Sequence, residues 1–301
     1  MFKNLTAFQI DIPNTSDFLS SLNGKLSKYQ HAPLGEFELK NAGWAPIREE
    51  GDLFYEYQSY ALLNLAVEKR SVPKSVLVKK VKELAAAFEN ENGYAPGRKQ
   101  IKKLAEEALE LLIPRAFPIT KYTRVILDLK KGLVLVDSVS TPVVDEVVKA
   151  LLKTDDTIQL TSLDFAVSAT DLMARWLLDG PPTGVTIDDS AAFVGADKRT
   201  VTLKNVNVGS GSVEISNTTP IAVAELIQNG MPPSALAITI NDDLSAVFTA
   251  DAGLKSIKFN TLSTEAPSDS GTFDTDLYLN GMLLSKAVKF LQACANAGDL
   301  I

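Results

Sequence analysis

Residues 71–117 read SVPKSVLVKKVKELAAAFENENGYAPGRKQIKKLAEEALELLIPRAF, and their periodicity decides how the rest of the chain is divided. Leu77, Val81, Leu84 and Phe88 recur at helical spacing after Ser71 and Pro73, and proline suits a first helical turn. The run ENENGYAPG breaks the helix before Ile101, Leu104, Ala105, Ala108 and Leu112 resume the stripe. The spacing predicts a helical hairpin over 73–113. Lys79 and Lys82 fall opposite Leu77, and Lys99 and Lys103 fall opposite Ile101, so these cations point away from the packed stripes. Lys80, Arg98 and Lys102 belong to the same basic runs.

Charge along both helices runs against the helix dipole. Lysine and arginine come early and glutamate late (Glu83 and Glu89; Glu106, Glu107 and Glu110), an order disfavoured by up to ~1 kcal/mol per terminal charge. Two arrangements account for it. In one, Lys79, Lys80 and Lys82 pair across the hairpin with Glu106 to Glu110, while Arg98 to Lys103 pair with Glu89 and Glu91. In the other, the cations are left to meet an external polyanion, since exposed pairs contribute only ~0–1 kcal/mol. The distribution of charge leaves that option open. Residues 61–131 hold 15 Lys or Arg against 8 Asp or Glu, whereas the whole chain holds 30 against 37, a formal −7. A basic segment on an acidic body confines a polyanion to one surface or channel.

Outward from the hairpin, the pattern is mixed. Residues 2–12 alternate as a strand, and TSDFLSSLNGKLSKY (15–29) fits a short helix capped by Thr15 or Ser16. FELKNAGWAPI ends in a proline turn, and FYEYQSYALLNLAVEKR reads as one or two strands. After the hairpin, KYTRVILDLKKGLVLVDS forms two strands around Lys130, Lys131 and Gly132; TPVVDEVVKALLK is a helix and TIQLTSLD a strand. From ATDLMARWLLDGPPTG onward the chain turns β-rich and acidic. Short strands (GVTIDD, AAFVG, KRTVTLKNVNV, SVEIS) precede a helix at TPIAVAELIQNG, further strands at ALAITI, LSAVFTA and LKSIKFN, a connector at 263–271 and a final helix over 282–297. The expected fold is α+β: mixed or antiparallel sheets with a protruding helical hairpin and a second β-rich lobe. A central domain is split over 1–72 and 114–165, the hairpin tip occupies 73–113, and a base domain with a C-terminal helix occupies 166–301.

Composition excludes several classes. With 46% apolar and 22% charged residues, the 301-residue chain is neither disordered nor collagenous. No apolar run reaches the ~20 residues of a membrane span, and MFKNLTAFQIDI alternates where a signal peptide would be continuous, so a cytoplasmic location is expected. Cys294 is the sole cysteine and His31 the sole histidine, too few for an internal disulfide or a zinc site; no metal or other cofactor is expected.

Catalytic candidates are thin. Mg²⁺-dependent phosphodiester cleavage needs converging carboxylates, often with a lysine nearby. Glu38 with Lys40, Asp128 with Lys130, Asp188 with Asp189 and Asp242 with Asp243 are the available sets, and such spacings are common by chance. His31 precedes Ala32 and Pro33 as a loop residue, and GSGS at 209–212 lacks the lysine and helix of a phosphate loop. No catalytic residue is assigned.

The stretch Ile113, Pro114, Arg115, Ala116 and Phe117, with FKNL (Phe2 to Leu5) and GWAP (Gly43 to Pro46), resembles the bacterial recombination-associated RdgC family, whose members carry FKNL, GWxP and LPRAF in this order. The resemblance is specific through about residue 140 and diffuse beyond it, where it rests on LKSIKF (254–259) and the C-terminal helix. It implies a homodimeric ring with a positively charged hole that holds double-stranded DNA without sequence preference, associates with the nucleoid and restrains RecA-promoted recombination. Arg115 and Phe117 then stand where the family places a DNA-contacting arginine and an aromatic at the gate of the ring. Lys204 lies near a further basic contact, although KNVNVGSGS departs from the family pattern there. Phe117 itself fits two readings, stacking against DNA or burial in the base of the hairpin. The expected DNA-binding set is Lys79, Lys80, Lys82, Arg98, Lys99, Lys102, Lys103, Arg115, Phe117 and Lys204. The family has also been described as an exonuclease, which leaves a Mg²⁺-dependent nuclease as the enzymatic alternative. A module that binds a recombination protein is a third possibility.

Overall fold

The computed structural model describes residues 2–48, 51–204, 206–209, 212–215, 223–260 and 270–297. The first half of the chain builds β1 (Thr6–Asp11), α1 (Thr15–Ser27), β2 (Lys40–Ala45), β3 (Phe54–Tyr57), β4 (Tyr60–Arg70), α2 (Lys74–Asn92), α3 (Arg98–Leu112) and β5 (Pro118–Asp128). It continues through β6 (Leu133–Val136), α4 (Thr141–Thr154) and β7 (Gln159–Ser162). The second half supplies α5 (Ala169–Asp179), β8 (Val185–Val194), β9 (Thr200–Lys204), β10 (Val206–Gly209), β11 (Ser212–Ile215), α6 (Val223–Gln228), β12 (Pro233–Ile240), β13 (Leu244–Thr249), β14 (Leu254–Phe259) and α7 (Ser270–Asn296). The fold is α+β, with antiparallel sheets.

β1 to β7 form one sheet in the order β2-β4-β5-β6-β1-β7, with β3 also paired to β4. Alternation along its strands decides what covers each face. Ala61, Leu63 and Leu65 of β4, with Val125, Leu127, Val134 and Val136, meet the stripes of α1 (Phe18, Leu22, Leu26) and α4 (Val144, Val147, Leu151). Tyr60, Leu62, Ile126, Leu133 and Leu135 point the other way, into a core shared with α5, α7 and the second sheet, β14-β13-β12-β8-β9. Burial on both faces explains the unbroken apolar run LVLV of β6.

Two short motifs lock this arrangement. Phe2 and Leu5 are buried between the sheets, where Leu5 exchanges backbone hydrogen bonds with Leu254 of β14 at 2.7 and 2.9 Å. Asp137 accepts from the backbone N–H groups of Lys3 and Asn4 at 3.0 and 2.9 Å. At β2, Trp44 is fully buried while Gly43 lets the chain cross above it: a Cβ on Gly43 would stand 2.6 Å from His31 Cα. The Trp44 N–H donates to the Tyr29 carbonyl and its carbonyl accepts from His31 N–H, at 2.9 and 2.8 Å.

Several local expectations change. The α1 cap is Asn14, whose side chain accepts from Ser16 and Asp17 N–H, rather than Thr15 or Ser16, which stand inside the first turn. ATDLMARWLLD is a helix, α5, burying Leu172, Met173, Trp176 and Leu177. GVTIDD and AAFVG belong to one strand, β8, bulged against β12. The final helix begins at Ser270, twelve residues before the expected 282. Most of the expected 263–271 connector lies outside the described residues, as does Asn205 within KRTVTLKNVNV.

Candidate nucleic-acid interface

The α2–α3 hairpin leaves the sheet between β4 and β5 and buries little. No residue of α2 is buried, and in α3 only Ala108 is. Its turn is built from Gly93, left-handed at φ 75°, and from Phe88 packed edge to face on Tyr94 with centroids 5.6 Å apart. Glycine tolerates that φ without steric cost. Gln100 folds back to accept from Gly97 N–H, which closes the start of α3. Neither helix carries an acid in its first turn or a base in its last, so the dipole gains nothing from the side chains.

The cross-hairpin ion pairs do not form. Within the hairpin the ion pairs run along a single helix, Lys80 to Glu83 at 3.3 Å and Lys102 to Glu106 at 4.0 Å. Among the described residues, Lys79, Lys82, Arg98, Lys99, Lys103 and Arg115 have no carboxylate within ion-pair distance, and all six are exposed.

At the base of the hairpin, Ile113–Arg115 makes one 3₁₀ turn anchored by buried Ile113. Pro114 lies in that turn, and Ala116 N–H donates to the Ile113 carbonyl at 3.0 Å. The turn throws Arg115 and Phe117 outward, and Phe117 is 88% exposed. Burial of Phe117 in the hairpin base is therefore ruled out. Lys204 ends β9 opposite Ser190, and its side chain is not among those described.

The sequence reading missed a continuation of this surface onto β5. Lys121, Tyr122 and Arg124 are exposed, Tyr122 by 64%, and so is Ile119, nearer the start of the strand. Lys69 of β4 lies opposite Ile119. Tyr122 and Arg124 share one sheet face by their two-residue spacing, and Ile126, the next residue on that face, is already buried. The sequence carries a partial signal: KYTR is mostly polar where the VIL that follows is continuously apolar.

Four of the carboxylates proposed for metal chemistry, Glu38, Asp128, Asp188 and Asp243, have structural partners, although Asp128 Oδ2 is buried without one among the described residues. Asp128 is buried and accepts from the N–H groups of Lys130 and Lys131 at 3.1 and 2.9 Å, fixing the β5–β6 turn. Glu38 accepts from Gly35 N–H, and Lys40 pairs with Glu146 at 2.5 Å. Asp188 accepts from the Thr239 hydroxyl, and Asp243 pairs with Lys286 at 2.8 Å. The Asp189 side chain and residues 210–211 of GSGS lie outside those described. His31 sits 3.5 Å from Glu68 in the segment crossing Gly43. Among the described residues, no three His, Cys, Asp or Glu side chains converge as metal ligands, and no helix is long and apolar enough to cross a membrane.

Fold and surface together define an α+β protein that presents a charged, largely unburied helical hairpin. The chain belongs to the RdgC family, whose model, described as "Putative exonuclease, RdgC", matches residues 1–294. It is similar to the recombination-associated protein RdgC of Janthinobacterium sp. (strain Marseille), 32% identical over 299 residues, covering 97% of this chain and 96% of that one. It is also similar to the proteins of the same name from Dechloromonas aromatica (strain RCB), 34% identical over 284 residues, and Herminiimonas arsenicoxydans, 32% over 287. These alignments cover 92% of this chain, and 91% and 92% of the relatives.

Proposed function

We propose that the chain binds double-stranded DNA without sequence preference, as a ring-shaped homodimer that restrains RecA-promoted recombination at the nucleoid. One observation carries the DNA reading: the hairpin and the turn after it expose seven cations, Lys74 among them, without counter-charges among the described residues, beside an exposed phenylalanine. Duplex phosphates release condensed counterions when such groups approach, a gain that needs no base contact. The binding set comprises Lys79, Lys80, Lys82, Arg98, Lys99, Lys102, Lys103, Arg115, Phe117 and Lys204, with Lys121, Tyr122 and Arg124 continuing it. Ring closure is supported by the apolar side chains the hairpin leaves in solvent, Val76, Val78, Tyr94, Ile101 and Leu111. Restraint of RecA and residence at the nucleoid, in the cytoplasm, rest on the family resemblance.

The chain acts on DNA without cutting it in this account. Support comes from the structural engagement of Asp128, Asp188 and Asp243, which ties each to a turn, a hydroxyl or a lysine. The family description keeps the exonuclease alternative open to a direct test. Incubation with end-labelled linear duplex and Mg²⁺ leaves the substrate intact if the proposal holds, and progressive shortening would establish the nuclease. DNA binding is tested by fluorescence anisotropy of a labelled duplex across a salt series, with charge reversal at Lys79, Lys82, Lys99 and Lys103.

A further inference from the structure

The open edge of the first sheet, on β2, carries a basic cavity separate from the hairpin. It has a volume of about 330 Å³ and lies between the end of α1, β2 and α4. Lys28, Lys149 and Lys153 line it, all exposed and none in an ion pair among the described residues. Lys153 rests over the Tyr29 ring, 4.8 Å from its centroid. The acid lining the cavity, Glu146, is held by Lys40 at 2.5 Å. The cavity is thus net cationic.

Its floor is backbone. Trp44 turns its N–H and C=O away from β4, toward Tyr29 and His31. By the two-residue period of a strand, Ala42 turns the same way, and among the described residues no partner takes its N–H or C=O there. The 29–31 segment covers the edge at Trp44 and leaves it uncovered at Ala42, beside the three lysines. An open edge is a template for one more strand.

We propose that this edge and cavity bind an extended acidic peptide segment of a partner protein, which pairs with Ala42 and sets its carboxylates against Lys28, Lys149 and Lys153. A peptide supplies both a donor for the Ala42 carbonyl and an acceptor for its N–H, which a phosphate group does not. The site is independent of the DNA reading.

The probe is a fluorescein-labelled, end-capped decapeptide alternating glutamate and valine, followed by anisotropy with the full chain. Binding is expected, weakening with salt. The pair Lys149→Glu and Lys153→Glu reduces it tenfold or more, and so does N-methylation of the peptide's central amides, a change that leaves the protein untouched. Exchange of glutamate for lysine in the probe abolishes it. Circular dichroism melting of the double variant reports on folding. Binding indifferent to N-methylation would overturn strand pairing, and equal binding of the lysine probe would overturn the charge match. Loss of duplex-DNA affinity in the double variant, with no peptide effect, would assign the lysines to a nucleic-acid surface and overturn the proposal.

Discussion

The indole N–H of Trp44 donates to the hydroxyl of Thr154 at 2.7 Å, and that hydroxyl donates in turn to the Ala150 carbonyl at 2.7 Å. One side chain thereby ties the edge of the sheet to the last turn of α4. Thr154→Val keeps the shape and removes the acceptor, leaving a buried donor unpaired. A loss of about 1–2 kcal/mol is expected, read as a lower urea midpoint at unchanged slope.

Lys25 and Asp155 join α1 to the end of α4 at 2.5 Å, with the Asp155 side chain almost completely buried. Burial pushes this carboxyl upward, but hydrogen bonds from Lys25 and from the Thr157 hydroxyl and N–H outweigh it and hold the group below its ordinary value. A depressed folded-state pKa gives stability that is present above the unfolded value, near ~4, and is lost as pH falls through the folded one. Lys25→Met therefore lowers stability at neutral pH by about 1–2 kcal/mol and narrows the difference from wild type below pH 4. Urea midpoints from pH 7 to pH 2.5 measure it.

Gly281 lies inside α7, where alanine normally stabilises a helix by about 1 kcal/mol. Here a Cβ would stand 2.6–2.9 Å from three atoms of the Tyr60 ring, which is buried and packed edge to face on Tyr278. Gly281→Ala is expected to destabilise by roughly 1–3 kcal/mol, the reverse of its helix propensity, as overpacking does. Thermal melting gives the sign.

Phe117 is expected to be silent in stability and active in binding. Being 88% exposed, it changes the melting point little when replaced by alanine, within about 0.5 kcal/mol for a surface site. Duplex affinity falls severalfold if the ring rests on DNA. Parallel melting and anisotropy measurements separate the two effects.

The hairpin was legible because Leu77, Val81, Leu84 and Phe88, and Leu104, Ala105 and Ala108, recur at helical spacing along two helices that pack on each other. α5 was not. Its apolar residues Leu172, Met173, Trp176 and Leu177 follow helical spacing, but they stand before the turn signal GPPTG and inside a strand-rich stretch. β8 read as two strands because its register against β12 shifts twice, which interrupts the alternation. The basic groups of the candidate site were visible as residues, yet their freedom from Glu106, Glu107 and Glu110 was not, because either pairing satisfies the same sequence. Lys121, Tyr122 and Arg124 escaped notice for another reason. KYTR marked the start of β5 as polar, but that Tyr122 and Arg124 lie beyond the packing that buries Ile126 on the same face depends on tertiary structure.

Contact between the hairpin cations and duplex phosphates sets how binding responds to salt. Wild type is expected to show log Kd rising with log salt at a slope of several units, about 0.9 for each phosphate neutralised. Reversal of Lys79, Lys82, Lys99 and Lys103 to glutamate is expected to flatten that slope by at least two units, with the melting point unchanged. A slope near zero in the wild type, or one identical in the reversed variant, would contradict the account.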